Sequence, residues 1–312
     1  MGDRTGPMKI GVVGAGGLGG CLAAALRQAG RAVRVVDRGA HAAAIRSEGL
    51  RIVGPDHPVA VPLTVVDSIA DLAGDDAVFV TVKAYALPDL LEGIRSVAET
   101  GTVVVPLLNG VEALDGLIAA GVPEPQLMGG AAYLTAFKIG PGSLERRGRH
   151  ARLVLGELDG TTTPRLGGLV SAFDATGIAV ETTSDIRLEL WRKMVLTCAL
   201  AAGCGLTRSP LGPIREHPLG RSLLERAAAE VVSVGQALGI GLAASDAARA
   251  LSLLDTFPAG FYPSLLHDLN AGRPTEIDIW SGAIARFGRR TGVPTPINDA
   301  ATVAVQLRSS ST

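Results

Sequence analysis

The segment Lys9-Ile10-Gly11-Val12-Val13 runs directly into Gly14-Ala15-Gly16-Gly17-Leu18-Gly19, and residues 21–29 continue as an apolar, alanine-rich stretch with helical spacing. A β-branched run, a GxGxxG turn and a helix, in that order, start the chain as a βαβ unit on a parallel sheet. Each glycine has its own physical reason. Gly14 makes the tight turn, Gly16 lets the backbone approach a pyrophosphate, and Gly19 lets the helix pack closely on the strand. Gly17 and Leu18 open the helix and are candidate contacts with them, because the amino end of a helix favours phosphate charge. In a chain with 40 glycines an isolated GxGxxG is weak evidence. The strand before it and the helix after it give this one its weight.

The alternation continues. Short β-branched runs ending at Val13, Val36, Val82 and Leu108 are separated by helical segments, which predicts a mostly parallel sheet with helices on its faces. Residues 133–137, 152–155 and 178–180 also read as strands, with one helix before the last, and would extend an edge of that sheet. From about Ser184 strand signals stop, and residues 186–206, 221–238, 244–256, 276–291 and 297–308 carry apolar residues at helical spacing. Turn-forming clusters at 208–218, 257–263 and 270–274 separate these helices. The expected fold is therefore an α/β N-terminal Rossmann-type domain plus an all-α C-terminal domain, over residues 1–184 and 185–312, with residues 1–7 a disordered polar leader. A chain of 312 residues exceeds the length at which a single core stops growing.

The charge balance narrows the partner. With 29 basic and 30 acidic residues, no net field draws the chain to nucleic acid or to an anionic membrane, which leaves a small molecule. The uncharged run 194–207 is shorter than the roughly 20 apolar residues a membrane span needs, and is expected to be a buried helix. Cys21, Cys198 and Cys204 lack CxxC or metal-ligand spacing, and so do the five histidines. No metal is expected, and the sparse, odd set of thiols suits the reducing cytoplasm.

Several polar residues interrupt apolar surroundings. Asp37-Arg38 closes the second strand, where the ribose of a dinucleotide would lie. A carboxylate there favours a ribose 2′-hydroxyl and repels a 2′-phosphate, whereas an arginine pairs with that phosphate, so these residues leave NAD and NADP open. Lys83 follows another strand end, where ligands of open α/β sheets bind; alternatively it is an ordinary loop lysine. Lys193 borders the uncharged run. Desolvation would bring its ammonium towards the working range of an acid catalyst, while the plainer reading is a surface pair with Glu189, four residues back. Glu276 and Asp278 open the segment after Pro274, where acidic residues commonly just complement a helix dipole. Ser264 reads equally as a helix N-cap, and Asn109-Gly110 as a strand-ending turn.

Taken together, Lys9 to Gly19, Arg38-Gly39-Ala40-His41, Val82-Lys83-Ala84, Asn109-Gly110, Trp191-Arg192-Lys193, Ser264 with Leu266 and Asp268, and Thr275-Glu276-Ile277-Asp278 resemble ketopantoate reductases in order and spacing. The resemblance covers the chain from about Met8 to residue 308. It implies a cytoplasmic, homodimeric enzyme that binds NADPH between a Rossmann domain and a helical domain, and reduces a short, branched 2-keto acid. NADP(H) is thus the implied cofactor, with NAD(H) the alternative. Carried over residue by residue, Gly14, Gly16 and Gly19 would form the pyrophosphate loop, Arg38 would meet the 2′-phosphate and Lys83 would contact the cofactor. Asn109 would lie beside nicotinamide and substrate. Lys193 would be the general acid, Glu276 its carboxylate partner, and Ser264 the group that receives the substrate carboxylate.

Departures from the family pattern bear on substrate. One and two helical turns beyond the lysine the family carries asparagines, where this chain has Thr197 and Ala201; Cys204 replaces a usual threonine, and Phe261 stands where a polar residue is common. Thr197 keeps one hydroxyl as a candidate substrate contact. The expected pocket is less polar than one built for ketopantoate, and the expected substrate is a bulkier or less polar 2-keto acid. Two other readings fit the same residues: a related dehydrogenase or imine reductase in which Lys193 serves as base, and a regulator that senses nicotinamide without consuming it.

Overall fold

A computed structural model describes residues 8–54 and 58–309; the leader expected over residues 1–7 lies outside the described residues. The chain divides into two compact units, Met1–Leu108 with Ala113–Ile186, and Asn109–Glu112 with Arg187–Thr312.

The first unit follows the order β1 (Lys9–Val13), α1 (Gly17–Gln28), β2 (Ala32–Val36), α2 (Gly39–Glu48), β3 (Leu50–Val53), β4 (Val59–Val61), β5 (Thr64–Val66), β6 (Ala77–Val80), α3 (Leu91–Glu99), β7 (Val103–Pro106), α4 (Ala113–Ala119), β8 (Met128–Gly140), β9 (Ser143–Glu157), α5 (Pro164–Ala172) and β10 (Ala179–Thr182). β5-β2-β1-β6-β7 form a sheet whose pairings are all parallel. Strands buried on both faces need apolar residues at every position, and alternate side chains serve two cores. Ile10, Val12, Phe79 and Val105 face one core with Leu22 and Leu26 of α1. Val13, Val78, Val80 and Val104 face the other with Ile94 and Val97 of α3.

Because β1 pairs with β2 on one side and β6 on the other, the sheet order reverses about β1, and the carboxyl ends of these strands mark the ligand-binding crevice of such sheets. β6 stops at Val80, two residues short of the expected Val82, and β7 ends on Pro106, two short of the expected Leu108, with the Leu107 N–H still reaching the Val80 carbonyl at 2.8 Å.

The later strands do not extend this sheet. β8 and β9 form a long antiparallel hairpin, and β9 also pairs with β3 and β10, giving a second sheet of order β10-β9-β3-β4 with β8 on the opposite edge of β9. The apolar faces of the two sheets share a core with α1, since Leu144, Leu153 and Leu155 of β9 cluster with Leu22 and Leu26. Strand propensity shows that these segments are extended. Register and sheet membership depend on partners far along the chain.

The second unit is helical: α6 (Ile186–Leu200, whose first residue closes the first unit), α7 (Leu211–Glu216), α8 (Pro218–Ala237), α9 (Ala244–Asp255), α10 (Ser264–Asn270), α11 (Ser281–Thr291) and α12 (Pro296–Ser309). α6 runs on into a π-helical turn, Ala201–Gly205, with every residue buried. A Cβ added at Gly203 would meet Leu224 of α8 at 2.6 Å, and one at Gly205 would meet Val305 of α12 at 3.0 Å. The small-residue run therefore lets α8 and α12 approach the turn closely.

Two expectations change here. The cluster 208–218 contains α7 rather than only turn, anchored by the Leu211 and Gly212 N–H groups on the carbonyls of Phe261 and Ala259. The helix expected from 276 begins only at Ser281, after a 3-10 turn over Ile277–Ile279, because Trp280, buried with φ −103° and ψ −105°, leaves the helical region. Among the described residues no helix is long and apolar enough to cross a membrane, and no group of three or more His, Cys, Asp or Glu side chains could hold a metal ion.

Candidate active site

The carboxyl ends of β1, β2 and β6 bring the first set of candidate residues together. Gly14 has φ +95°, a conformation open to glycine, and its N–H donates to the Val36 carbonyl at 2.8 Å, tying the loop to the end of β2. The glycines then divide by cause. A Cβ at Gly19 would lie 2.1 Å from the Gly14 carbonyl oxygen and from Thr81 Oγ1, and one at Gly17 would lie 2.1 Å from the Ala136 carbonyl of β8. Packing alone demands glycine at both. At Gly16 nothing lies within 4 Å of an added Cβ. Among the described residues no atom requires glycine there, so the open space suits close approach of a ligand, as a pyrophosphate would need. Leu18 lies in the first turn of α1, whose amino end starts at this loop.

Asp37 and Arg38 have different parts. Asp37 Oδ2 accepts the Ala15 N–H at 2.7 Å and Oδ1 accepts the Arg38 N–H at 2.7 Å, so the carboxylate is built into the glycine loop. The Arg38 side chain is exposed and enters no hydrogen bond or ion pair among the described residues. Both line a pocket of about 300 Å³ with Gly14, Ser68, Val82 and Ala86. Lys83 lies on the chain between the last two of these and starts the 3-10 turn Ala84–Ala86.

The second set belongs to the helical unit. Asn109, although it follows β7 in sequence, groups with that unit: its Nδ2 donates to Glu276 Oε2 at 3.3 Å, and Glu112 pairs with Arg286 of α11 at 2.6 Å. Glu276 is 5% exposed. Lys193, on α6, is half-buried; removal from water pulls its ammonium down to about 8, against the opposing pull of the Glu276 and Glu189 carboxylates. Asn109, Lys193 and Glu276 thus converge from segments separated by up to 167 residues. The Glu189–Lys193 contact read as the plain alternative is present as a charge interaction, so the two readings of Lys193 coexist.

Thr197 does not offer its proton outward. Its Oγ1 donates to the carbonyls of Lys193 and Met194 at 3.1 and 3.2 Å. Ala201 and Cys204 are fully buried in the π turn. Ser264 is not an N-cap: Pro263 holds that position and Ser264 is the first residue of α10. α10 rests on the π turn, with Leu265 Cδ2 3.4 Å from where a Cβ of Gly205 would be. Phe261, half-buried, packs on Phe257 with centroids 4.4 Å apart.

Sequence reasoning missed two supporting groups. Arg273 donates to Asp268 Oδ1 at 3.0 Å and its N–H to the Asp268 carbonyl at 2.9 Å, which fastens the segment before Glu276 to α10. Opposite charges five residues apart across Gly272 were the available signal. The other is His41, buried on α2, whose ring contacts Ala15 and Gly142. His41 belongs to the Arg38-Gly39-Ala40-His41 motif of the resemblance, but a histidine without metal spacing gives no sign of its role in a single sequence.

Comparison with known proteins bears on family and fold. Residues 10–160 match the family described as ketopantoate reductase PanE/ApbA, and residues 185–309 match its C-terminal counterpart. A 2-dehydropantoate 2-reductase of Mesorhizobium japonicum is 30% identical over 318 residues, covering 96% of this chain and 97% of its own length. Among solved structures, a D-mandelate dehydrogenase in ternary complex with NADH and anilino(oxo)acetate superposes with a TM-score of 0.88 at 26% identity, covering 97% of this chain and 99% of its own. A PanE/ApbA family ketopantoate reductase from Ralstonia eutropha JMP134 superposes with a TM-score of 0.86 at 28% identity, covering 97% and 99% respectively.

Proposed function

The chain belongs to the ketopantoate reductase PanE/ApbA family, and from that premise we propose that it reduces a 2-keto acid to a 2-hydroxy acid with NADP(H), in a pocket suited to substrates less polar than ketopantoate. As a family member it is an NAD(P)-dependent oxidoreductase. The observation that carries the reading is Lys193, an ammonium drawn down to about 8 beside the buried Glu276, which itself receives Asn109.

A bound dinucleotide would supply the hydride. Gly14, Gly16, Gly17, Leu18 and Gly19 would hold its phosphates, and Lys83 would contact it. As charge develops on the substrate carbonyl oxygen, the Lys193 ammonium stabilises it and donates its proton to that oxygen. Glu276 keeps the lysine charged and oriented, and Asn109 fixes the carboxylate through Oε2. Ser264 receives the substrate carboxylate. In the oxidative direction the neutral lysine accepts the hydroxyl proton.

Cofactor choice follows from the division of labour at the end of β2. Asp37 holds the loop through Ala15, which serves either dinucleotide, while the Arg38 guanidinium is available to a 2′-phosphate. Arg38→Ala is expected to raise KM for NADPH by about tenfold or more and to leave KM for NADH nearly unchanged, a split that steady-state kinetics with both cofactors resolves. Asp37→Ala is expected to weaken both.

Substrate choice follows from the face of α6 beyond Lys193. The Thr197 hydroxyl donates to its own helix, and Ala201 and Cys204 add no partner for a substrate hydroxyl. The D-mandelate dehydrogenase neighbour, complexed with anilino(oxo)acetate, supports room for an aryl-bearing 2-oxo acid. The test is NADPH consumption with ketopantoate, branched aliphatic 2-keto acids and phenylglyoxylate side by side. Values of kcat/KM for the apolar acids should exceed that for ketopantoate by about tenfold or more. Ketopantoate as the best substrate would contradict the altered pocket and leave the reductase standing; no turnover with any 2-keto acid would contradict both.

A further inference from the structure

The residue between the first two glycines of the loop, Ala15, is held on both sides of its backbone. Its N–H donates to Asp37, and its carbonyl oxygen lies 2.9 Å from His41 Nε2. His41 is 5% exposed and stands in the first turn of α2. Its other ring nitrogen, Nδ1, receives the Gly142 N–H at 3.0 Å, from the turn that joins β8 to β9. A carbonyl can only accept and an amide N–H can only donate, so the two contacts assign the ring: Nε2 carries the hydrogen and Nδ1 presents its lone pair.

The β8–β9 hairpin also touches α1 and α2 apart from this ring. The Gly17 close approach puts β8 against the first turn of α1, a Cβ at Gly20 would come within 2.5 Å of Leu144 of β9, and one at Gly142 would come within 2.9 Å of the Ala44 Cβ of α2. The Gly142 carbonyl also accepts the Arg51 N–H at 2.8 Å. The hairpin turn is thus seated on α2 and anchored to the second sheet, and His41 passes that anchorage to the glycine loop. In a trans peptide the carbonyl of one residue and the N–H of the next point in opposite directions. With the Ala15 carbonyl bound to His41, the Gly16 N–H is turned away from α2, at the residue beside which a Cβ would find empty space.

We propose that His41 is a positioning residue for the dinucleotide: by bridging Ala15 of the glycine loop to Gly142 of the β8–β9 turn, it sets the peptide plane that offers the Gly16 N–H to the pyrophosphate. The inference rests on the proposed use of the loop for a nicotinamide dinucleotide. It assigns a role to a side chain that neither touches the reacting atoms nor belongs to the glycine motif.

The test compares wild type, His41→Ala and His41→Gln in NADPH affinity, by fluorescence titration, and in steady-state kinetics. Glutamine keeps one donor and one acceptor at the end of its side chain and can restore both bonds. His41→Ala should raise the NADPH Kd and KM by about tenfold or more, with kcat at saturation and the KM of the 2-keto acid within about twofold, and His41→Gln should recover most of the loss. An unchanged NADPH Kd in His41→Ala would overturn the proposal, as would a loss carried by kcat alone. In the wild-type protein, saturating NADPH should slow hydrogen exchange at the Gly142 amide, a readout that needs no variant to fold; unchanged exchange there would also overturn it. A wild-type chain that binds no nicotinamide dinucleotide would overturn the proposed function itself, and this inference with it.

Discussion

Lys193→Ala is expected to lower kcat for 2-keto acid reduction by about two to four orders of magnitude, the usual contribution of a positioned general acid, with the NADPH Kd within about twofold of wild type. The replacement removes the proton donor for the developing alkoxide and its charge stabilisation together. The glycine loop, Asp37 and Arg38, all in the first unit, are untouched. Lys193→Arg should fare little better, because a guanidinium keeps its charge but does not release its proton in the working pH range. Steady-state turnover and dinucleotide titration on the same preparations check the split. A variant with near wild-type kcat would remove Lys193 from the chemistry and restore its plainer role as the i,i+4 partner of Glu189.

The second large effect concerns the glycines, where neighbouring positions should fail for different reasons. Gly19→Val places a Cβ 2.1 Å from the Gly14 carbonyl oxygen and from Thr81 Oγ1, and Thr81 is itself committed, donating to the Val13 and Gly14 carbonyls at 3.0 and 2.7 Å. Backbone must move, so the variant should lose about 3 kcal/mol or more of stability and most of its dinucleotide affinity together. Gly16→Ala puts a methyl into empty space and should leave the melting temperature nearly unchanged while weakening NADPH binding by about tenfold or more. Thermal unfolding beside fluorescence titration separates the two. Equal thermal loss at both positions would show that Gly16 also serves the fold, and an unchanged Kd in Gly16→Ala would show that the ligand does not approach there.

Local sequence carried a definite part of this picture. Strand β1, the glycine turn and α1 were legible because each needs only its neighbours: β-branched residues, a turn that requires positive φ, and apolar residues at helical spacing. The switch from alternating elements to helices alone near Ser184 was legible for the same reason. Sheet membership was not. The extended character of residues 133–137 and 152–155 could be read, but not the second sheet they enter: 133–137 pair within the β8–β9 hairpin, 152–155 pair with β10, and β9 meets β3 through Ser143–Glu145, about 90 positions beyond Arg51–Val53. α7 was hidden by Pro210, Gly212 and Pro213, which argue for turns, although Leu211 and Ile214 are buried as a helical pair.

At the candidate site, residue types could be singled out but not their commitments. Asp37 and Arg38 looked like competitors until the Asp37 carboxylate was seen to hold the Ala15 and Arg38 N–H groups. Thr197 looked like a residual polar contact, yet its proton goes to the turn of helix before it. The meeting of Asn109 with Glu276 follows from Asn109–Glu112 grouping with the helical unit, which nothing in that short segment announces. His41 stands in one of the motifs of the resemblance, but its role carried no signal, because a histidine that bridges two backbone groups leaves no spacing pattern.

The pH dependence of kcat in both directions tests the central claim, that Lys193 is the acid of reduction and the base of oxidation. Burial draws its ammonium to about 8, so the proton needed for reduction is present below that pH and absent above it. With saturating NADPH and 2-keto acid, kcat should hold level below about pH 8 and fall roughly tenfold per pH unit above it; with NADP and the 2-hydroxy acid it should rise through the same pH to a plateau. Profiles that stay flat from pH 7 to 10 in both directions, with chemistry shown to be rate-limiting, would contradict the account.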